Sequence, residues 1–269
     1  MRSKDGRTTK DGIRIYQDAD FAGMHVAGRL AAQILDDIAP HVFPGQTTGE
    51  IDRLITNMVD EAGAKSATIG YKGYQHASCI SVNHVVCHGI PGDKKLKDGD
   101  ILNIDVTVIV DGWFGDTSRM FVAGKLPRKA ERLIQVTHDS LMKGIEAVKP
   151  GNTFGDIGHA IQSYAESQRM SVVRDFCGHG LGLVFHAPPN VLHYGRPGTG
   201  PKLEEGMFFT IEPMINLGRP ETKILADEWT AVTRDKSLSA QFEHSIGVTS
   251  QGCEIFTLSP GGLFHPTYS

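Results

Sequence analysis

Carboxylates stand at the ends of apolar segments where a buried strand would be expected. Asp105 follows Ile104 in ILNID, and Glu212 follows Ile211 in FFTIE. A charged group in an otherwise apolar strand is costly unless something compensates it. These positions therefore indicate a site that binds cations or carries out acid–base chemistry.

A third carboxylate, Asp116, lies eleven residues after Asp105, across the turn sequence Asp111-Gly112. If these two residues form a hairpin turn, Val110 pairs with Trp113. Asp105 and Asp116 then become diagonal neighbours on one face of the hairpin. A register slip of one residue would separate them, whereas a slip of two would not.

Glu243, in FEHSIGVT, is a fourth carboxylate in an apolar setting. Four converging carboxylates would repel one another without cations, and two divalent ions would neutralise them. His179, between the glycines of CGHGLG, can project an imidazole into the same site. Oxygen-rich ligation with one imidazole and no thiolate suits Mn, Fe, Co or catalytic Zn.

An internal repeat predicts how these residues are brought together. PGQTTGEIDRLI, starting at residue 44, returns as PGNTFGDIGHAI at residue 150, and KLKDGDILNID, starting at residue 95, returns as KLEEGMFFTIE at residue 202. The two offsets, 150 minus 44 and 202 minus 95, are 106 and 107 residues. The repeat predicts two related halves around a pseudo-twofold axis, with a cleft between them.

Each half has the pattern helix, helix, then strands. Apolar spacing predicts helices over 27–38 and 133–148, and capping-box sequences at Thr47–Glu50 and Thr153–Asp156 predict two more helix starts, the first helix reaching Gly63. β-rich runs predict strands over 79–86, 101–110, 208–215 and 246–258.

The composition is that of an ordinary globular protein. The chain has 269 residues, with 22% charged and 40% hydrophobic residues and a net charge of −4, which disfavours a general nucleic-acid binder. Four cysteines without CxxC pairing favour a reducing compartment, and no apolar run is long enough for a membrane span. We therefore expect a cytoplasmic protein, with residues 1–17 as a flexible N-terminal arm.

The motifs around these residues closely resemble those of the type I methionine aminopeptidases. The resemblance covers about residues 18–258, and Glu212 lies only 26 positions after His186, which favours type I over type II. It implies the α+β pita-bread fold, with a central sheet, outer helices, one catalytic domain over 18–269 and halves at about 18–125 and 126–258. The motifs that carry it are NIDV, GDTSRMF, CGHGLG, TIEPM, FEHSIGVT and CISVNHVVCHGIPG.

The resemblance also implies roles for the five ligands. Asp105 would chelate one metal ion, His179 and Glu212 the other, and Asp116 and Glu243 would bridge both. The implied cofactors are two divalent ions, with Mn, Fe or Co expected and Zn also compatible. A water bridging the two ions would attack the scissile carbonyl, and Glu212 would also transfer a proton.

Two histidines and an apolar pocket match the family's substrate contacts. His88, in VCHGIP, would contact the scissile peptide and assist the leaving amine, and His186, in VFHAPP, would contact the carbonyl region. The resemblance assigns the methionine pocket to Tyr71, Tyr74, Cys79, Phe185 and Trp229. The sequence departs from the family pattern at Thr68, where relatives often have Cys, and over Gln75–Ser78, where they commonly have a proline and a lysine.

The expected function is removal of the initiator methionine from proteins whose second residue is small. Its expected partners are N-terminal methionyl peptides and, transiently, the ribosome; a monomer is expected, without nucleic-acid specificity. An X-Pro peptidase is disfavoured because fewer than twenty residues precede the first helix, whereas such enzymes usually carry an extra N-terminal domain. A metal-free peptide-binding or ribosome-associated scaffold is disfavoured because all five ligand positions are intact.

Overall fold

The computed structural model describes residues 7–268 and has an α+β architecture. The helices are α1 (Asp18–Ile38), α2 (Thr48–Glu61), α3 (Arg128–Glu146) and α4 (Phe154–Ser167). The strands are β1 (Lys65–Ser66), β2 (Ser78–Val82), β3 (Val85–Cys87), β4 (Ile101–Val110), β5 (Trp113–Val122), β6 (Ser171–Val172), β7 (Gly178–Gly180), β8 (Ala187–Val191), β9 (Phe208–Ile211), β10 (Met214–Asn216), β11 (Thr222–Ile224), β12 (Ala231–Thr233), β13 (Ser239–Gln241), β14 (His244–Val248) and β15 (Cys253–Ile255).

The two predicted capping boxes open α2 and α4. Thr47 donates its backbone N–H to Glu50 Oε2 at 2.8 Å, and Glu50 N donates to Thr47 Oγ1 at 3.1 Å. In the second half, Thr153 N donates to Asp156 Oδ2 at 2.7 Å. These bonds satisfy backbone donors that the first helical turn leaves unpaired. The other two helices begin earlier than predicted, at Asp18 and Arg128. The prediction missed their first turns because these are rich in charged residues and apolar spacing does not mark them.

The duplication seen in the sequence has a structural counterpart. An isolated antiparallel bridge joins Thr47 to Lys95 in the first half, and the equivalent bridge joins Thr153 to Lys202 in the second. In each half this bridge ties the start of the second helix to the segment that leads into a ligand-bearing strand, β4 or β9. The same local sequence therefore makes the same contact twice.

The long hairpin β4–β5 has the predicted register. Val110 lies opposite Trp113, which places Asp105 opposite Ser118 and Asp116 opposite Thr107. Three predicted strands were too long because each is interrupted: residues 83–84 separate β2 from β3, residues 212–213 separate β9 from β10, and residues 249–252 separate β14 from β15. These interruptions fall at Asn83-His84, Glu212-Pro213 and residues 249–252, which are polar or turn-favouring residues between two apolar runs.

Within residues 7–268 the strands group into four sheets of four, three, three and five strands. An antiparallel bridge between Ser118 and Glu243 links the β4–β5 hairpin to the segment that precedes β14. α1 and α2 bury Ile34, Leu35 and Ile51 against the strands that follow them, and residues of α3 and α4 share a second core cluster with residues of β9 and β14. None of the described helices is long and apolar enough to cross a membrane.

Within the segment predicted to be a flexible arm, residues 7–12 are mostly exposed, and packing against the rest of the protein begins at Ile13. Ile13 and Tyr16 are buried, and the Tyr16 ring stacks on Phe208 with centroids 4.3 Å apart. Leu183 N donates a hydrogen bond to the Tyr16 hydroxyl at 3.2 Å. Alternation of polar and apolar residues over so short a segment gave no clear packing signal. The first six residues of the predicted arm lie outside the described residues.

A buried ion pair joins β5 to α1, and its carboxylate also holds the C-terminal segment. Arg119 donates to Asp36 Oδ1 at 2.6 Å, and Ser259 Oγ donates to the same carboxylate at 2.8 Å. We expect Asp36→Ala to lower the free energy of unfolding by about 3–5 kcal/mol, because it leaves a buried guanidinium without its counter-charge. Urea denaturation measures this loss. Asp37→Ala, at the exposed neighbouring position, is the control, and an equal effect of both substitutions would contradict the prediction.

Candidate metal centre and substrate cavity

The five predicted ligands line one cavity of about 810 Å³. Their elements come from both halves of the chain. Asp105 and Asp116 lie on the paired strands β4 and β5, His179 lies on β7, Glu212 directly follows β9, and Glu243 directly precedes β14.

Three of these side chains form a close cluster. His179 Nε2 lies 3.5 Å from Asp116 Oδ2 and 3.8 Å from Glu212 Oε1. Ligand atoms of Asp116, His179 and Glu243 all lie within 4.8 Å of one another. Asp105 and Glu212 line the same cavity but are not part of this closest group.

Burial makes the carboxylates hold protons strongly when no metal is bound. It raises the pKa of Asp105 and of Glu243 well above the usual range, and the charge of Asp116 adds to the effect on both. Burial also raises the pKa of Glu212, to about 7. For His179, burial lowers the pKa, but the Asp116 and Glu212 carboxylates outweigh it and the net change is upward.

The donor set therefore fits divalent cations. Four carboxylates and one imidazole are gathered where water cannot screen their charges, and a pair of divalent ions would compensate them. Cysteine is absent from the close cluster, so the chemistry is that of a catalytic rather than a structural Cys-bound site.

Hydroxyl and imidazole groups orient the ligands. Thr107 donates to Asp116 Oδ1 at 2.7 Å, and Thr210 donates to Glu212 Oε1 at 2.7 Å. Thr210 lies two residues before Glu212, and Thr107 lies two residues after Asp105 and directly opposite Asp116 on the paired strand. That spacing was a usable signal in the sequence, although our sequence analysis did not identify them.

His193 was also missed, and no local sequence signal marks it. Its side chain is fully buried, and Glu212 N donates to its Nε2 at 3.1 Å. Burial lowers the pKa of His193 to about 3, so the ring is neutral and can accept this hydrogen bond. His193 thereby holds the backbone of Glu212.

His88 and His186 both line this cavity. His88 has a positive φ of 56°, a costly conformation for a non-glycine residue. Burial lowers its pKa. His186 lies beside His179, with ring centroids 4.2 Å apart, and burial together with His179 lowers its pKa to about 4. Both imidazoles are therefore neutral near pH 7.

The five predicted pocket residues also line the cavity. The four aromatic ones form two pairs. The Tyr74 ring lies 4.9 Å from Trp229, and the Tyr71 ring lies 5.0 Å from Phe185. Cys79 is buried, and burial raises the pKa of its thiol, so it presents neutral sulfur to the cavity. Such an apolar, polarisable lining suits an unbranched thioether side chain.

The metal-free protein should become less stable as the pH rises from about 4.5 to about 7. Glu212 keeps its proton over this range in the folded protein but releases it in the unfolded chain. The free energy of unfolding therefore falls as the pH rises. His179, with its raised pKa, acts in the same direction. Asp105 and Glu243, whose pKa values are also raised, add to this loss. Glu212 alone accounts for a loss on the order of 2 kcal/mol between about pH 5.5 and pH 7.5, or roughly 5 °C in Tm.

Calorimetry with and without Mn²⁺ tests this prediction. Metal ions bind the deprotonated ligands and replace the bound protons, so the rise in Tm on adding metal should be larger at the higher pH. A metal-induced rise in Tm that is the same at both pH values would contradict it.

Comparison with known proteins identifies the relatives of this chain. The family model of metallopeptidase family M24 matches residues 22–250. Methionine aminopeptidase from Rickettsia prowazekii is 59% identical over 257 residues, covering 95% of this chain and 99% of the relative. Methionine aminopeptidase from Escherichia coli K12 is 54% identical over 248 residues, covering 91% and 94%.

Solved structures show the same relationship. The crystal structure of the Rickettsia prowazekii methionine aminopeptidase matches with a TM-score of 0.91, covering 91% of this chain and 100% of that one. The Thermotoga maritima methionine aminopeptidase matches with a TM-score of 0.89 at 39% identity, covering 91% and 99%. A prolidase from Pyrococcus horikoshii shares the fold, with a TM-score of 0.72 at 20% identity, and this chain covers 63% of it.

Proposed function

Since the chain belongs to the methionine aminopeptidases of metallopeptidase family M24, we propose that it removes the initiator methionine from nascent proteins whose second residue is small. The observation that carries this proposal is the cavity itself. It joins a buried cluster of carboxylates and an imidazole to an aromatic, sulfur-containing pocket. A metal centre beside a pocket for an unbranched apolar side chain is what such an aminopeptidase requires.

We propose that two divalent ions, Mn, Fe, Co or Zn, are held by the five ligands. Asp105 would bind one ion, His179 and Glu212 the other, and Asp116 and Glu243 would contact both. When bound, the ions supply Lewis-acid chemistry, because they lower the pKa of water and stabilise negative charge that develops on a carbonyl oxygen. The short distances among Asp116, His179 and Glu243 support this arrangement.

The residues around the ions would orient the peptide and move protons. Glu212, whose carboxylate lies in the cavity close to His179, would accept and return a proton. His88, neutral at pH 7, would form a hydrogen bond with the nitrogen of the scissile peptide bond and assist departure of the amine. His186, also neutral, would contact the carbonyl region of the substrate.

The methionine side chain would occupy the space lined by Tyr71, Tyr74, Cys79, Phe185 and Trp229. Edge-to-face and tilted contacts among these rings leave a lining of aromatic edges and faces, which attract a polarisable sulfur. A β-branched or shorter side chain would make fewer contacts there. The lining therefore supports selection of methionine over smaller apolar residues.

The remaining aspects of the proposal concern the setting of the enzyme. We propose a cytoplasmic monomer that acts as one catalytic domain over residues 18–269, with related halves at about 18–125 and 126–258, and that contacts the ribosome transiently. The four unpaired cysteines support a reducing compartment, and the equivalent bridges at Thr47 and Thr153 support the division into halves.

A peptide panel with and without chelator tests the proposed function. Purified protein loaded with Mn²⁺ or Co²⁺ is assayed on Met-Ala-Ser, Leu-Ala-Ser and Ala-Pro peptides. The proposal predicts cleavage of Met-Ala-Ser in preference to the other two, lost on chelation and restored by the metal. Preference for Ala-Pro would instead indicate an X-Pro peptidase, and inertness in every metal would indicate a scaffold.

A further inference from the structure

We propose that Asp52, on α2 outside the metal site, is a positioning residue that sets selectivity for the substrate side chain. This inference rests on the proposed function. Asp52 acts through the pocket loop, which we define as residues 66–78. The loop carries Tyr71 and Tyr74 and runs directly into Cys79, so its placement determines the shape of the proposed methionine pocket.

The Asp52 carboxylate is buried and bonds the C-terminal end of the pocket loop. Its Oδ1 accepts hydrogen bonds from Ser78 N at 3.0 Å and from Ser78 Oγ at 2.8 Å. Its Oδ2 lies 3.0 Å from His76 Nδ1. Within residues 7–268, the side-chain hydrogen bonds of Asp52 go to this end of the loop. A buried carboxylate with three such partners fixes their positions closely.

A hydrogen bond connects Ser78 to Tyr74 in the pocket. The Tyr74 hydroxyl donates to the carbonyl oxygen of Ser78 at 2.9 Å. The Tyr74 ring in turn packs on Trp229 at 4.9 Å, and both rings line the substrate cavity. A shift of Ser78 therefore moves the tyrosine that forms one wall of the proposed pocket.

The pocket loop needs such an anchor because its middle is conformationally costly. Gly70, Lys72 and Gly73 all have positive φ, of 85°, 48° and 87°. For Lys72 this conformation is strained, and it persists only when the surroundings impose it. Near its other end the loop is closed by Thr68, whose hydroxyl donates to the carbonyl of His76 at 2.7 Å.

This arrangement also gives a joint physical explanation for the two departures from the family pattern. Thr68 and the Gln75–Ser78 stretch contact each other directly, and two of the residues in that stretch bind Asp52. The departures thus act as one hydrogen-bonded unit around a single carboxylate. We infer that they set the position of Tyr74 in this chain.

The test measures selectivity together with kcat and KM. Met-Ala-Ser and Leu-Ala-Ser compete for wild type, Asp52→Ala and Asp52→Asn, each loaded with Mn²⁺ and checked for metal content. Asp52→Ala should lower the ratio of kcat/KM for Met over Leu by about 10-fold, the scale of discrimination by side-chain shape in an apolar pocket. The loss should fall mainly on KM for Met-Ala-Ser, and Asp52→Asn, which keeps one acceptor for Ser78, should lose less.

Three further variants keep the result interpretable. Asp60→Asn, at an exposed position on the same helix, should change neither the ratio nor KM. Ser78→Ala removes only the side-chain donor and should lower the ratio in the same direction, which decides the question if the Asp52 variants do not fold. In a Tyr74→Phe background the effect of Asp52→Ala on the ratio should shrink, because the link through the tyrosine hydroxyl is already absent.

The inference is overturned if folded Asp52→Ala or Ser78→Ala slows both peptides equally or leaves the ratio unchanged. The proposed function fails separately, since it is lost only if the wild-type enzyme itself shows no preference for Met-Ala-Ser. A wild-type preference combined with an unchanged ratio in the variants rejects the role of Asp52 alone.

Discussion

Replacing His179 with alanine should reduce kcat/KM for Met-Ala-Ser by more than about 100-fold. Loss of an outer partner of a metal ligand typically costs 10–100-fold in affinity or activity, and loss of a ligand should cost more. His179 is the one imidazole in the close cluster and lies within 4 Å of two of the carboxylates. Its removal leaves only carboxylate ligands and takes away the imidazole that lies beside Glu212.

The measurement combines steady-state kinetics with metal content after dialysis. His179→Ala should bind less than the full complement of Mn²⁺, and added metal should restore activity only in part. His159→Ala, on α4 away from the cavity, is the matched control and should retain both. Wild-type turnover by His179→Ala with normal metal content would contradict the assignment of this ligand.

The second large effect concerns His88. We expect His88→Ala to lower kcat by about 100-fold or more, the scale of a lost proton-transfer or hydrogen-bonding group at the reacting centre. Metal content should stay unchanged, because His88 is not among the clustered ligands. The neutral imidazole, held at a positive φ between Phe176 and Trp229, has no evident role in packing that would require histidine.

Kinetics and metal analysis of the same preparation separate this role from a structural one. His84→Ala, in the turn between β2 and β3, serves as the control because His84 does not line the cavity. Retention of kcat within about twofold in His88→Ala would reject the proposed role. Loss of metal from that variant would show instead that His88 supports the ligands.

The register of the β4–β5 hairpin was predictable because its information is local. Asp111-Gly112 dictates a two-residue turn, and that turn alone determines that Asp105 and Asp116 share a face. The capping boxes were predictable for the same reason, since each involves residues three positions apart. The repeat then extended these local inferences to Glu212 on the equivalent strand.

The contacts that could not be predicted join residues distant along the chain. His193 meets Glu212 only after β8 and β9 are placed in one sheet, and Asp52 reaches Ser78 only after α2 packs beside β2. The burial of Tyr16 against Phe208 likewise depends on the complete second half. Such contacts depend on tertiary packing, and no spacing within one segment encodes them.

An anomalous-difference map of Mn²⁺-soaked crystals tests the central claim most directly, namely that residues from both halves gather two metal ions into one centre. The account predicts two peaks about 3.5–4 Å apart, the usual separation in two-metal sites. Both should lie among Asp105, Asp116, His179, Glu212 and Glu243. A single peak, or peaks that contact fewer than all five side chains at full occupancy, would contradict it.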